Sequence, residues 1–361
     1  MEDPCAERTV VGARLRETTD GPDVDVFMAG TVFIDMIFTG LRRLPPPGTE
    51  LLSEGLGTAP GGIANLAVAM SRLGLSVGLA AAFGDDIFGA YLWRTLAEQE
   101  GVDLDWSRRL GGWPTPVTVS FSYDADRSMV TYHQPLPYPP EQLAECPPRA
   151  KTCVVHIDRQ VPEWAIRMRA AGTTVFADVG WDPTEAWSSD LLDRLALVDV
   201  FLPNAVEAMA YTRTDSPHAA LEALAGHVPV VAVKMGEAGA IAIDATTGEY
   251  ARADALPIRP LDPTGAGDVF AAAFVFGSLA GLSLPERLRF ANLCAGLSVR
   301  HHSGSLGAPC WGEIASFGQE SELPADVLAE YGFVVPYIPE APTDTVTRAE
   351  PTVRYGPPTP T

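Results

Sequence analysis

Short apolar runs recur along the middle of the chain, and each is followed by a stretch with helical spacing. The runs at 24–34, 77–83, 153–157, 174–178, 198–202 and 230–235 are rich in β-branched residues. Such runs suit strands that are buried on both faces. Helical periods lie between them at 63–73, 86–100, 162–171, 185–196, 204–213 and 217–226. This alternation predicts right-handed βαβ units around a mostly parallel sheet, an α/β fold. In such sheets ligands bind beyond the carboxyl ends of the strands, and the polar punctuation of this chain falls there.

Two stretches break the rhythm. Residues 49–57, and 116–123 with 128–133 across Asp124-Ala125-Asp126, read as hairpin strands with one wet face. They predict a small second sheet, too short to be a domain. It would serve as a lid over a cleft, as an edge sheet or as a dimer clasp. Residues 1–23 are polar and aperiodic, and 336–361 are rich in Pro and Thr, so both ends are expected to be disordered tails. One folded unit is expected over 24–335, with lid segments near 37–58 and 113–134.

Composition narrows the class of partner. The 361 residues include 47% hydrophobic positions, enough for a large core, and carry a formal charge of −21. That charge makes nucleic acid and anionic membranes poor partners. No apolar run approaches the roughly 20 residues that span a bilayer. Glu2, Asp3, Glu7 and Arg8 open the chain without a secretory apolar segment, so a cytoplasmic protein is expected. The five cysteines form no CxxC pair, which leaves no zinc-site pattern.

The chemistry concentrates in Asp262-Pro263-Thr264-Gly265-Ala266-Gly267-Asp268, which runs straight into an apolar helix. The small residues Gly265, Ala266 and Gly267 leave backbone N–H groups exposed to an anion, and the helix dipole favours the same ligand. A carboxylate in an anion site repels phosphate. Its presence makes sense if Asp268 takes a proton from an attacking hydroxyl. The reaction expected is phosphoryl transfer.

Further candidates fall at strand ends and helix starts. Asp35 follows the first run, and Gly61-Gly62 with Asn65 opens a helix, a grip for a polyhydroxylated molecule or simply a capped glycine turn. Asn204 and Glu207 match a capping box and, alternatively, a magnesium site. Lys234 is one of only two lysines. With Gly236 and Gly239 after it, it could face a nucleotide phosphate or merely solvent. Asp158 and Asp178 end strands and would be presented to the cleft, although many such residues only begin a loop. No G-x-x-x-x-G-K-[ST] occurs, nor H-R-D with D-F-G, which excludes P-loop and protein-kinase chemistry.

In these motifs the chain resembles the ribokinase-like (PfkB) carbohydrate kinases over about residues 24–320. Residues 262–275 resemble the family's second signature, with Gly265, Ala266 and Gly267 as anion hole and Asp268 as base. The Gly61-Gly62 pair, Asn65, Ala67, Gly74 and Gly84 resemble the first, and Ile63 departs from the usual small residue. Asn204 and Glu207 resemble the family's N-x-x-E magnesium motif, Asp35 its substrate-binding Asp after the first strand, and Asp158 an acidic residue that some members use on substrate. The resemblance implies a three-layer α/β/α sandwich with a β-lid, and ATP and Mg²⁺ as cofactors. It also implies a monovalent cation such as K⁺ near Asp262, Thr264 and the 303–307 loop. An adenine pocket would lie by Asn292 and that loop, which contains Gly304. Where many members show Asp-x-Asn-x-Arg, this chain has Asp178-Val179-Gly180-Trp181-Asp182.

The expected function is transfer of the γ-phosphoryl of ATP to a sugar hydroxyl, by analogy in a homodimer joined through the lid. A nucleoside kinase on the same fold is the alternative, with Trp113, Tyr123, Tyr132 and His133 as candidates to stack a base. A non-catalytic sensor that kept the fold is the third reading.

Overall fold

The computed structural model describes residues 21–339, apart from 124–125, 158–159, 181, 183, 259, 302 and 321–324. β1 (Val24–Ala29) enters the main sheet, and after Gly30-Thr31 the same apolar run continues as β2 (Val32–Leu41), which pairs antiparallel with β3 (Gly55–Gly62). β4 (Val77–Ala80) lies parallel to β1, and β5 (Ala82–Gly84) and β6 (Arg108–Leu110) form a short parallel pair. β7 (Val117–Tyr123) and β8 (Asp126–Tyr132) complete a four-stranded second sheet of order β3-β2-β7-β8.

Six more strands extend the main sheet: β9 (Ala150–His156), β10 (Thr174–Asp178), β11 (Val200–Phe201), β12 (Val230–Lys234), β13 (Ala240–Asp244) and β14 (Glu249–Ala253). Its order is β14-β13-β12-β11-β10-β9-β1-β4. Pairings from β4 to β12 are parallel, and β13 and β14 add an antiparallel edge. Helices Ile63–Arg72, Ala266–Leu279 and Leu284–Ser298 pack into one core on one face. Glu163–Ala170, Ala205–Thr212 and Pro217–Ala225 pack into a second core on the other. The result is the expected three-layer α/β/α sandwich with a small separate sheet. No helix among the described residues is long and apolar enough to cross a membrane.

Three departures from the sequence reading have physical reasons. The strand expected at 24–34 is two strands in different sheets, because the apolar run continues through the Gly30-Thr31 break. The lid strand expected at 49–57 starts at Gly55: Thr49 turns back onto the Pro46 carbonyl through its amide (3.1 Å) and its hydroxyl (2.7 Å), and the ladder with β2 takes up only where Gly55 pairs with Thr39. The β13–β14 hairpin was not foreseen, although Asp244-Ala245-Thr246-Thr247-Gly248 is a turn, with Gly248 at φ +75°. At the carboxyl end, Tyr337 packs its ring on Phe276 and Trp311 and donates to the Ala280 carbonyl (3.1 Å), so packed chain continues past residue 335.

A buried ion pair ties three distant stretches of the chain together. Arg72, at the end of helix Ile63–Arg72, and Glu100 are both fully buried. The guanidinium meets both carboxylate oxygens, at 3.0 and 2.9 Å, and its remaining nitrogen donates to the carbonyls of Leu306 (2.9 Å) and Ala308 (2.7 Å). Four of the five guanidinium N–H donors are engaged in these contacts, and a buried charge is tolerated only when paired and hydrogen-bonded in this way. Removing one partner strands the other in a dry core, so Arg72→Ala should lower unfolding free energy by about 3–5 kcal/mol in chemical denaturation. A loss below about 1 kcal/mol would show that the pair holds nothing in place.

Candidate active site

The site begins with a turn that only certain residues can make. The Asp262 carboxylate accepts from both the amide (2.9 Å) and the hydroxyl of Thr264, closing a local loop. Gly265 then takes φ +75°, and a side chain on it would lie 2.5 Å from the Gly304 Cα, so both the conformation and the space demand glycine. Helix Ala266–Leu279 starts there, its first bond running from the Val269 amide to the Gly265 carbonyl at 2.9 Å. Among the described residues the amides of Gly265, Gly267 and Asp268 make no hydrogen bond. The Ala266 amide closes the turn onto the Pro263 carbonyl (3.2 Å) and is taken, contrary to its expected place in the anion hole.

Asp268 sits in the first helical turn and receives a hydrogen bond from Asn65 Nδ2 at 2.9 Å. Burial raises its pKa, helped by the charge of Asp178 and opposed by His156, the Asn65 hydrogen bond and Lys234. Asn65 Oδ1 is buried with no donor among the described residues. Asp35, on β2, is pushed up to about 7 by burial and then by the charges of Asp268 and Asp262. Its carboxylate lies against Gly61, where any side chain would collide with it. Gly62, at φ +65°, starts the helix that carries Asn65. The first and second motifs, some 200 residues apart in sequence, therefore meet at one helix mouth.

A row of strand ends supplies the rest. Lys234 Nζ, at the end of β12, pairs with Asp178 Oδ2 at the end of β10 across 2.7 Å, and both side chains are nearly buried. The same ammonium stands 3.5 Å from the place a Gly267 side chain would occupy, so its charge lies beside the free amides. Asn204 and Glu207 form the reciprocal capping box, with the Glu207 amide on Asn204 Oδ1 and the Asn204 amide on Glu207 Oε2, each 2.9 Å. Glu207 is nonetheless buried. Its pKa is raised by burial and by Asp178, against the Asn204 amide, Lys234 and His156.

The other expected residues scatter. Gly236 (φ +59°) faces open space, but Gly239 packs against the Ala253 carbonyl and serves the β12–β13 turn. Asn292 spends its amide on the carbonyls of Ala253 (2.9 Å) and Asp254 (3.1 Å), tying its helix to β14. Gly304 is wedged between Gly265 and Asn65, behind the turn that starts the helix. Asp158 lies outside the described residues. The sequence reading passes over His156, which opposes the upward shift of Asp268 and Glu207, and Arg127 of β8, which donates to Thr264 Oγ1 at 2.9 Å. A lone arginine beside a lid hairpin is the only trace that Arg127 leaves in the sequence.

Beside β1 and the lid opens a cavity of about 390 Å³, lined by Thr31, Trp113, His133, Leu136, Tyr138 and Trp164 among others. Tyr138 is among the lining residues, and its hydroxyl is buried with no partner among the described residues. Phe33, on the same face of β2 as Asp35, reaches the His133 ring with centroids 6.5 Å apart.

Comparison with known proteins gives one consistent result. The model of the pfkB family carbohydrate kinases matches residues 25–310. A nucleoside kinase of Methanothermobacter thermautotrophicus is 28% identical over 300 residues, covering 81% of this chain and 94% of its own. A fructokinase of Klebsiella pneumoniae is 30% identical over 303 residues, covering 76% and 94%. A putative ribokinase II of E. coli, solved in complex with ATP and Mg²⁺, superposes with a TM-score of 0.68 at 21% identity over 82% of this chain and 99% of that one. The chain belongs to the pfkB family of carbohydrate kinases, phosphotransferases that act on a hydroxyl acceptor.

Proposed function

We propose that this chain transfers the γ-phosphoryl group of ATP to a hydroxyl of a sugar, with Asp268 as the base. The observation that carries this reading is the helix mouth itself: unbonded amides at Gly265, Gly267 and Asp268 beside an acid whose proton affinity is raised by burial. Raised basicity suits proton removal from an alcohol, and the fixed amides suit negative charge gathering on the transferred group. Lys234 adds a positive charge beside Gly267. Asp35 and the buried Asn65 Oδ1 are acceptors awaiting donors, which sugar hydroxyls supply.

Glu207 fits a divalent cation. It is an oxygen ligand, buried, and made costly to ionise by its neighbour Asp178. Glu207, with Asn204 beside it, would hold Mg²⁺, which neutralises phosphate charge when bound. At the turn 262–264, by contrast, the side chains gather round a guanidinium rather than leave an open cation site. Exposed Leu56 on β3 and Met129 and Val130 on β8 support a homodimer through the lid.

A nucleoside acceptor is the second reading, favoured by the aromatic-walled cavity whose His133 contacts the Phe33 ring. Its volume suits a planar base, and the Tyr138 hydroxyl would give that base one polar contact.

Three outcomes are expected. ADP release across a panel of sugars and nucleosides should rise with at least one acceptor; ligand-induced stabilisation without turnover from every acceptor would favour the sensor instead. Asp268→Asn should lower kcat by about 10²–10⁴-fold with little change in acceptor KM. Near-normal turnover at saturating substrate would remove Asp268 from the mechanism.

The third concerns Asp35. Its pKa is about 7 when folded and 3.8 in an ordinary setting, so the folded chain holds the extra proton between those values. Its contribution to stability is full below about pH 4 and is lost as pH rises through about 7. Asp35→Asn should remove that loss, raising Tm at pH 8 by about 2 °C while acceptor KM rises. A lower Tm at pH 8 would mean that the carboxylate is not crowded.

A further inference from the structure

Arg127 joins the lid to the catalytic turn. It lies on β8, opposite Ser122 of β7, and its side chain crosses the cleft to residues 137 positions further on. Nη1 donates to Thr264 Oγ1 at 2.9 Å and stands 3.8 Å from Asp262 Oδ1. Thr264 in turn gives its hydroxyl hydrogen and its amide to the same Asp262 oxygen. The hydroxyl thus accepts from the guanidinium and donates to the carboxylate, completing a relay of polar contacts in which the Asp262 side chain is 5% exposed.

The buried Asp262 carboxylate, three residues before the first open amide, needs a countercharge if phosphate is to approach. In this chain that charge is already present. A metal cation at the same oxygens would face a guanidinium within about 4 Å and be repelled. We infer that Arg127 takes the place of a monovalent cation at the Asp262-Pro263-Thr264 turn, so that turnover needs no K⁺. The charge is carried by the lid, so it arrives at the turn only when the lid is down over the acceptor. The activity half of the inference rests on the kinase reading; the binding half does not.

The test compares wild type and Arg127→Ala in potassium chloride and in tetramethylammonium chloride at equal ionic strength, by thermal unfolding and by ADP release. For wild type, K⁺ should leave Tm unchanged and raise kcat by less than about threefold, the scale of ordinary surface-charge effects. Arg127→Ala in tetramethylammonium should lose about 10-fold or more in kcat, partly restored by K⁺ or by free guanidinium. A K⁺-dependent rise in wild-type Tm, the mark of a cation bound to the folded state, would overturn the inference. So would a larger K⁺ stimulation of wild type, or an Arg127→Ala enzyme indifferent to the missing charge. Loss that neither K⁺ nor guanidinium relieves would make Arg127 a clasp for the lid only, which also overturns it. The thermal arm on wild type needs neither an acceptor nor a folded variant, so it decides the matter even where no phosphoryl transfer is found.

Discussion

Negative charge is crowded at a single helix mouth, and much of the molecule is arranged to hold it there. Asp268 feels Asp178, and Asp35 feels Asp268 and Asp262, while burial makes each ionisation harder. Left to themselves such groups would push the loops apart. What opposes them is local and specific: the Asn65 amide on Asp268, the Lys234 ammonium on Asp178, the Arg127 guanidinium near Asp262, and free backbone amides along the first helical turn. A fold retains repulsion of this kind where the chemistry needs a strong base and an anion hole side by side.

The scaffold explains how residues so distant in sequence can be fixed within a few ångströms. Parallel strands deliver Asp178 and Lys234 at the same edge of the main sheet, with Asn204 following β11. Helix Ile63–Arg72 carries Asn65 near its start and Arg72 at its end, and Arg72 grips the carbonyls of Leu306 and Ala308. Gly304, in that same loop, is pressed against Gly265 and Asn65. Buried ion pair, glycine contact and the turn with its unbonded amides are therefore one mechanical unit. Packing in a dense core leaves it little room to shift.

Much of this was legible in the sequence, for identifiable reasons. The sheet and its helices announce themselves because strands buried on both faces are continuous apolar runs, and the helices between them keep their period. The Gly265-to-Asp268 turn is legible because small residues that bare the backbone are joined there to a carboxylate at a helix start. Illegible parts are those set by tertiary contact. Nothing local shows that the apolar run through Gly30 changes sheets, or that the Ala266 amide folds back onto Pro263. Gly239 and Asn292 look like ligand residues in a motif, yet serve β12–β13 and β14. Arg127 shows the converse: an ordinary lid residue in sequence, it acquires meaning only when the lid lies over the turn.

The central claim is that Asp268 faces the attacking hydroxyl while the neighbouring amides hold the phosphoryl group. A crystal structure with ADP, aluminium fluoride and the acceptor found by the panel tests it most directly. The acceptor oxygen should lie within hydrogen-bond reach of the Asp268 carboxylate, about 3 Å, with fluorides on the amides of Gly265, Gly267 and Asp268. An acceptor oxygen beyond reach of that carboxylate, or a fluoride cluster bound away from those amides, would contradict the account.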